Sequence, residues 1–99
     1  MPLVYLQRYT TEKGTLVACC DEELLGKTFR EGKLKLSVEP QFFGKTAIGL
    51  EEALAILAPA EMMNLAGHDI VSAAISRGLV HPDAVIQIKG IPHVQVLRM

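Results

Sequence analysis

This 99-residue chain has no strong net charge, no tryptophan and no long hydrophobic run. Its net charge is −1, it has no tryptophan, and its aromatic residues are two tyrosines and three phenylalanines. A near-neutral balance argues against strong non-specific binding to nucleic acid or anionic lipid. The uncharged run Ala53 to Ala60 is far shorter than the roughly 18–20 residues that a membrane helix needs. We therefore expect no membrane partner.

A secretory signal is also missing from the first ten residues, MPLVYLQRYT. They lack a basic segment before a long apolar one, and they turn polar at Gln7 and Arg8. The composition is 49% hydrophobic and 21% charged, which is typical of a globular core. We expect one cytoplasmic domain over residues 1–99, large enough to bury roughly two thirds of its unfolded surface.

Cysteine and histidine are too few and too scattered to indicate a metal site. The two cysteines, Cys19 and Cys20, are adjacent, so on a strand they point to opposite faces and a bond between them would be strained. The three histidines, His68, His81 and His93, form no HxxxH pair, and there is no CxxC. We predict reduced cysteines, no metal and no cofactor.

The tripeptide GKT occurs twice, beginning at Gly26 and at Gly44. A phosphate-binding loop needs a glycine five residues before this glycine, a strand before the loop and a long helix after it. The required glycine is replaced by Asp21 in the first copy and by Glu39 in the second. We interpret both glycines as turn residues and both lysines, Lys27 and Lys45, as solvated.

Charge is unevenly distributed along the chain. Between positions 27 and 45 there are five Lys or Arg residues against two glutamates, a local charge of +3. Between Thr46 and Ser76 there is no Lys or Arg, and four carboxylates give −4. Such runs are usual on the wet faces of strands and helices; the alternative is a weak basic patch for RNA or an acidic partner.

Period-two patterns predict strands in the first half of the chain. Residues 33–39, KLKLSVE, alternate leucine or valine with polar residues, as in a strand with one wet face. Residues 3–10 and 15–20 are rich in β-forming residues and are joined by a turn ending in Gly14, which predicts a hairpin. Asp21 is placed to cap a short helical turn, EELL.

The second half predicts helices followed by a hairpin. An i, i+3, i+4, i+7 apolar stripe begins at Leu50, and EMMNLAG is interpreted as a helical piece ending at Gly67. The segment DIVSAAISRG is interpreted as a helix that starts on the capping residue Asp69 and stops at Gly78. Residues 84–89 and 93–98 predict two strands. The expected fold is α+β, with a mostly antiparallel sheet of about five strands and helices on one face.

Two separated motifs resemble a known family. The segments ACCDEELLGKTFREGKLKLSV and NLAGHDIVSAAISRGLVHPDAVIQIKGIPHVQVLRM resemble the archaeal family designated domain of unknown function 424 over essentially the whole chain. The first motif lies around Cys20 to Gly32, and the second includes Gly90, Pro92, His93, Gln95 and Arg98. Cys19 departs from the family pattern, which has a small residue there. The resemblance implies an archaeal cytoplasmic protein of one domain, without an established activity and associated with translation and RNA.

Three classes of function remain open. We favour a small binding module for RNA or a translation component, in which cations meet phosphates and Phe29 or Phe43 stacks on a base. The alternatives are an enzyme that uses Cys20 with Asp21 and His93, and a subunit that binds a protein or a second copy through a sheet edge or the AILAPAEMM segment. The predicted binding residues are Lys27, Phe29, Arg30, Lys33, Lys35, His93 and Gln95. We also expect the segment Asp21 to Gly32 and the end hairpin at Pro92 and His93 to form one surface.

Overall fold

A six-stranded sheet organises the protein. The computed structural model describes residues 2–97, so Arg98, named in the resemblance and in the last predicted strand, lies outside it. The six strands are β1 (Leu3–Thr11), β2 (Gly14–Asp21), β5 (Ala47–Gly49), β6 (Met62–Ala66), β7 (Ile86–Ile88) and β8 (Ile91–Leu97). Their order is β5-β1-β2-β6-β8-β7, and only the β2–β6 pair is parallel. The predicted α+β class with a mostly antiparallel sheet is confirmed.

One face of this sheet, the helix face, is covered by α2 (Leu50–Leu57) and α3 (His68–Ser76). The apolar stripe that starts at Leu50 buries Ala53, Leu54 and Leu57, as its spacing predicts. These side chains pack on alternate strand residues such as Val17. None of the helices in residues 2–97 is long and apolar enough to cross a membrane.

The opposite face, the hairpin face, is covered by smaller elements. A separate two-stranded hairpin, β3 (Thr28–Glu31) and β4 (Leu34–Ser37), lies over it together with the short helix α1 (Pro40–Phe43). A second apolar cluster fills this layer, in which Leu36, Phe43 and Ile88 are buried. The sheet is therefore covered on both sides, by helices on one and by a hairpin and a single helical turn on the other.

The prediction of a helix at EMMNLAG is wrong, because this segment is β6 in the middle of the sheet. It pairs in parallel with β2, where Cys20 lies opposite Ala66, and antiparallel with β8. Met, Leu and Ala favour helices locally, but a central strand makes hydrogen bonds along both of its edges. Helix propensities differ by less than about 1 kcal/mol per residue, so this pairing overrides them.

The capping predictions are also wrong. Asp21 makes no side-chain cap bond to the 3-10 turn Glu22–Leu24 that follows it. Its carboxylate instead accepts hydrogen bonds from the backbone N–H groups of Asp69, at 2.8 Å, and Ile70, at 2.9 Å. The predicted cap, Asp69, is exposed inside the first turn of α3, which begins at His68. The N-terminus of α3 is thus capped from a residue 48 positions earlier in the chain.

Replacing Asp21 with Ala is expected to lower the free energy of unfolding by about 2–4 kcal/mol, because two backbone N–H groups of α3 lose their acceptor. Asp69→Ala is the matched control, with an expected loss below about 1 kcal/mol from the helix dipole alone. Urea unfolding monitored by circular dichroism measures both. Equal losses in the two variants would contradict the cap assignment.

Candidate functional site

The predicted cations form an exposed surface on the β3–β4 hairpin. Arg30 and Lys35 lie directly opposite each other across the two strands, and both are exposed. Their strand neighbours Phe29 and Leu36 pack into the second cluster, so alternation turns Arg30 and Lys35 outward. Lys33 lies in the turn between the strands. We call the exposed cations Lys27, Arg30, Lys33 and Lys35 the basic hairpin surface.

The carboxylate within this hairpin is held away from its outer face. Glu31 Oε1 accepts a hydrogen bond of 2.6 Å from the backbone N–H of Lys89, in the turn between β7 and β8. Among residues 2–97, neither Arg30 nor Lys35 has a carboxylate within salt-bridge distance. The outward face of the hairpin is therefore positively charged and not neutralised by the protein itself.

The two predicted stacking rings are not free on the surface. Phe43 is 2% exposed and lies within the second cluster, and Phe29 is half-buried against the same cluster. An aromatic ring needs an open face to stack on a base. Phe43 is consequently a core residue, and Phe29 serves mainly to attach the hairpin to the sheet.

His93 and Cys20 lie in one cross-strand row on the hairpin face. Cys20 is opposite Ala66 on β6, and Ala66 is opposite His93 on β8. Neighbouring strands are about 4.8 Å apart, so the two backbones are separated by roughly 10 Å. The His93 Nε2 atom lies 3.1 Å from Oδ1 of Asn64, and burial lowers the pKa of the imidazole. The ring is thus held by Asn64 as a neutral group.

The two cysteines are free and completely buried, on opposite faces of β2 as the alternation predicts. Burial raises the pKa of the Cys20 thiol to about 12, and the nearby carboxylate of Asp21 acts in the same direction. Burial raises the pKa of Cys19 as well. A nucleophilic cysteine needs an ionised, accessible thiol, which neither residue offers.

The two loop regions expected to form one surface do meet at one end of the sheet. Besides the Glu31–Lys89 contact, the N–H of Gly67 donates to the carbonyl of Pro92 at 2.9 Å, and Asp21 lies against Gly67. The side chains predicted to bind nevertheless diverge, since Arg30 turns outward from the hairpin and His93 lies in the sheet below it. Of the last two strands, β8 pairs with β6 and β7 pairs with β8, so neither lies beside β2.

An acidic group at this end consists of Asp21, Glu23 and Asp69, whose carboxylate oxygens lie within 4.8 Å of one another. Both oxygens of Asp21 already accept backbone hydrogen bonds from α3. Burial raises the pKa of the Asp21 carboxyl, while those two bonds oppose the rise. Capping of α3 therefore accounts for the position of Asp21, while Glu23 and Asp69 are exposed beside it.

Both GKT glycines are turn residues, as interpreted from the sequence. Gly26 has φ of 86° and leads into β3, whereas Gly44 has φ of 88° and follows α1. Neither copy connects a strand to a long helix. The backbone of each therefore lacks the geometry that surrounds a phosphate in a nucleotide-binding loop.

An open pocket of about 370 Å³ lies on the hairpin face beside α1. Its floor comes from two cross-strand rows of β2, β6 and β8, and Phe42 lines it beside them. Its lining residues include Leu16, Phe42, Met62, Asn64, Gln95 and Leu97. Of these only Gln95 was a predicted binding residue, because the others come from four separate elements and no local spacing connects them.

We predict that alkylation of Cys20 by iodoacetamide at pH 8 is about 10³-fold slower in the folded protein than in urea, because the pKa of the thiol rises from 9.0 to about 12. Mass spectrometry of a Cys19→Ala variant follows Cys20 alone. Comparable rates in native buffer and urea would restore Cys20 as a candidate nucleophile.

Acidification is expected to destabilise the protein through His93. Burial lowers the pKa of His93 in the folded protein below its ordinary value of 6.5. Below about pH 6.5 the unfolded chain therefore binds a proton more readily than the folded protein does. The stability that the neutral His93 contributes is therefore fully present above about pH 6.5, and it is lost as the pH falls towards the pKa of His93 in the folded protein. Thermal unfolding between pH 7.5 and 5.5 should show a smaller decrease in His93→Gln than in the wild type. The exposed residue His68 provides the control, His68→Gln, and an equal decrease in all three proteins would contradict this assignment.

The comparisons with known proteins agree with the fold. A crystal structure of an uncharacterised conserved protein from Methanopyrus kandleri superposes with a TM-score of 0.76 at 23% identity, covering 98% of this chain and 94% of that one. At this identity the likeness shows the fold alone. No curated protein matches the chain. The family model described as "Protein of unknown function (DUF424)" matches residues 9–99. The chain therefore belongs to the DUF424 family, as its two motifs predict.

Proposed function

We propose that the protein is a small RNA-binding module that contacts phosphates through the basic hairpin surface. The observation that supports this most directly is the Arg30–Lys35 pair. Like charges directly opposite on a sheet destabilise it, and the protein supplies neither residue with a carboxylate partner among residues 2–97. An anionic ligand would relieve the repulsion that the hairpin carries on its own.

The shape of the surface favours single-stranded RNA. A two-stranded hairpin with outward side chains presents a narrow line of cations, which matches one flexible phosphate backbone. The net charge of −1 limits non-specific attraction at long range, so binding should be modest and should depend on salt. RNA of the translation apparatus is the first ligand to test.

The enzyme alternative receives less support from the geometry. It requires an ionisable Cys20 beside a basic His93. Cys20 is instead a buried thiol, and His93, which lies two strands from Cys20, is hydrogen-bonded to Asn64 on the strand between them. The protein-binding alternative rests on the isolated exposed residues Leu3, Leu34 and Ile86, which lie on three different strands, and on Leu97, which lines the open pocket. Isolated apolar side chains of this kind are normal on surfaces.

The double variant Arg30→Ala with Lys35→Ala is expected to weaken binding of an unstructured RNA octamer by about tenfold at low salt, because two charge-assisted contacts are lost. The slope of log K against log salt should decrease by about 1.4, at about 0.7 per phosphate contact for single strands. Fluorescence anisotropy across a potassium chloride series measures both quantities.

The matched control is Arg8→Ala with Lys13→Ala, which makes the same change in net charge. Arg8 lies on the helix face of β1 by alternation with Val4, and Lys13 lies in the β1–β2 turn. Equal losses in the two doubles would mean that only net charge matters. No detectable binding of RNA by the wild type at low salt would reject the proposed function.

A further inference from the structure

We infer that the open pocket on the hairpin face is a subsite for one unpaired nucleobase of the RNA. This inference rests on the proposed function and adds base recognition to phosphate contact. The pocket is defined by the lining residues Leu16, Phe42, Met62, Asn64, Gln95 and Leu97. Its volume of about 370 Å³ lies within the roughly 300–1,000 Å³ that small-ligand sites occupy.

The apolar part of the pocket suits a flat aromatic ligand. Leu16, Met62 and Leu97 lie side by side in one cross-strand row and provide a floor. Phe42 is held rigidly beside it: its ring stacks on Tyr9 at a centroid distance of 5.5 Å and meets Phe43 edge-on at 5.1 Å. The Tyr9 hydroxyl also donates to the carbonyl of Phe42 at 2.6 Å. A preorganised ring of this kind loses little entropy when it contacts a base.

The polar part of the pocket suits the edge of a base. Asn64 and Gln95 lie opposite each other on β6 and β8. Oδ1 of Asn64 is hydrogen-bonded to His93, which leaves the Nδ2 group of Asn64 as a donor. The side-chain amide of Gln95 has no hydrogen-bond partner among residues 2–97. Together the two amides present donors and an acceptor at the rim of an apolar pocket. Side-chain amides in this role read the hydrogen-bonding edges of unstacked bases.

The pocket and the basic hairpin surface lie near opposite ends of β8: the hairpin contacts Lys89 just before this strand begins, whereas the pocket contains Gln95 and Leu97 near its end. Both lie on the same side of the sheet, opposite α2 and α3, and α1 supplies Phe42 directly after β4 in the chain. One strand of RNA can therefore place phosphates along the hairpin and turn a base towards the sheet. A purely apolar partner would leave the two amides without hydrogen bonds, which would cost free energy. The two amides of the pocket, and the positive charge on the same side of the sheet, thus favour a base over an apolar peptide.

The test compares an unstructured RNA octamer with an abasic octamer that has the same ribose-phosphate backbone. Because stacking and edge contacts need a base, the RNA should bind about tenfold more tightly than the abasic chain. Gln95→Ala should reduce the affinity for RNA about threefold to fivefold and leave the abasic chain unaffected. The matched control is Gln87→Ala, an exposed glutamine on β7 that does not line the pocket, and it should change neither affinity.

Amide chemical shifts locate the contact independently. In the wild type, the signals of Leu16, Asn64 and Gln95 should move with RNA and stay in place with the abasic octamer. Equal affinity for the two octamers, both weakened by the Arg30 and Lys35 substitutions, would overturn the base subsite and leave the proposed function intact. Binding of neither octamer would reject both. Shifts at the pocket that follow dilution of the protein instead of added RNA would assign the pocket to a second copy and overturn the subsite.

Discussion

The architecture depends on one interaction, the capping of α3 by the carboxylate of Asp21. Asp21 ends β2, is 1% exposed, and caps α3 through two backbone hydrogen bonds. Gly67 makes the junction possible, because its φ is 120° and a Cβ there would lie 2.3 Å from Cγ of Asp21. The same glycine donates to Pro92. The buried carboxyl group of Asp21 thus joins the end of β2 to the N-terminus of α3, and Gly67 joins that N-terminus to β8. The burial of the carboxyl group is offset by the hydrogen bonds it receives.

The unequal covering of the two sheet faces creates the candidate site. Two helices pack one apolar cluster against the helix face, whereas the hairpin and the single turn α1 leave the row of Leu16, Met62 and Leu97 open on the other face. Glu31 and Phe29 attach the hairpin to the sheet from below, so its cations are directed outward. The uncovered remainder of the hairpin face becomes the pocket beside Phe42. The exposed cations and this open pocket therefore lie on the same side of the sheet, the side that the hairpin and α1 cover incompletely.

Part of the candidate site follows from local sequence. The charge run between Lys27 and Lys35 identifies the basic hairpin surface, and alternation in β8 places His93 and Gln95 together on one face. Phe29 and Phe43 carry no local sign that they are buried, because their neighbours in space come from the six-stranded sheet. The remaining pocket residues are equally hidden. Leu16, Phe42, Met62 and Asn64 belong to three elements whose register with one another is set by long-range pairing.

By itself the sequence determined the α+β class, the strands with alternating polarity, the amphipathic helix α2, the glycine turns and the family. These features depend on side chains within about seven residues of one another, where period and steric preference act directly. Only the tertiary structure decided that EMMNLAG is a central strand, that TFRE at residues 28–31 is a strand of its own, and that Asp21 caps α3. Each of these depends on a partner brought close by folding. Hydrogen bonds along both edges of a strand, or to a helix N-terminus 48 residues away, outweigh local propensities of less than about 1 kcal/mol per residue.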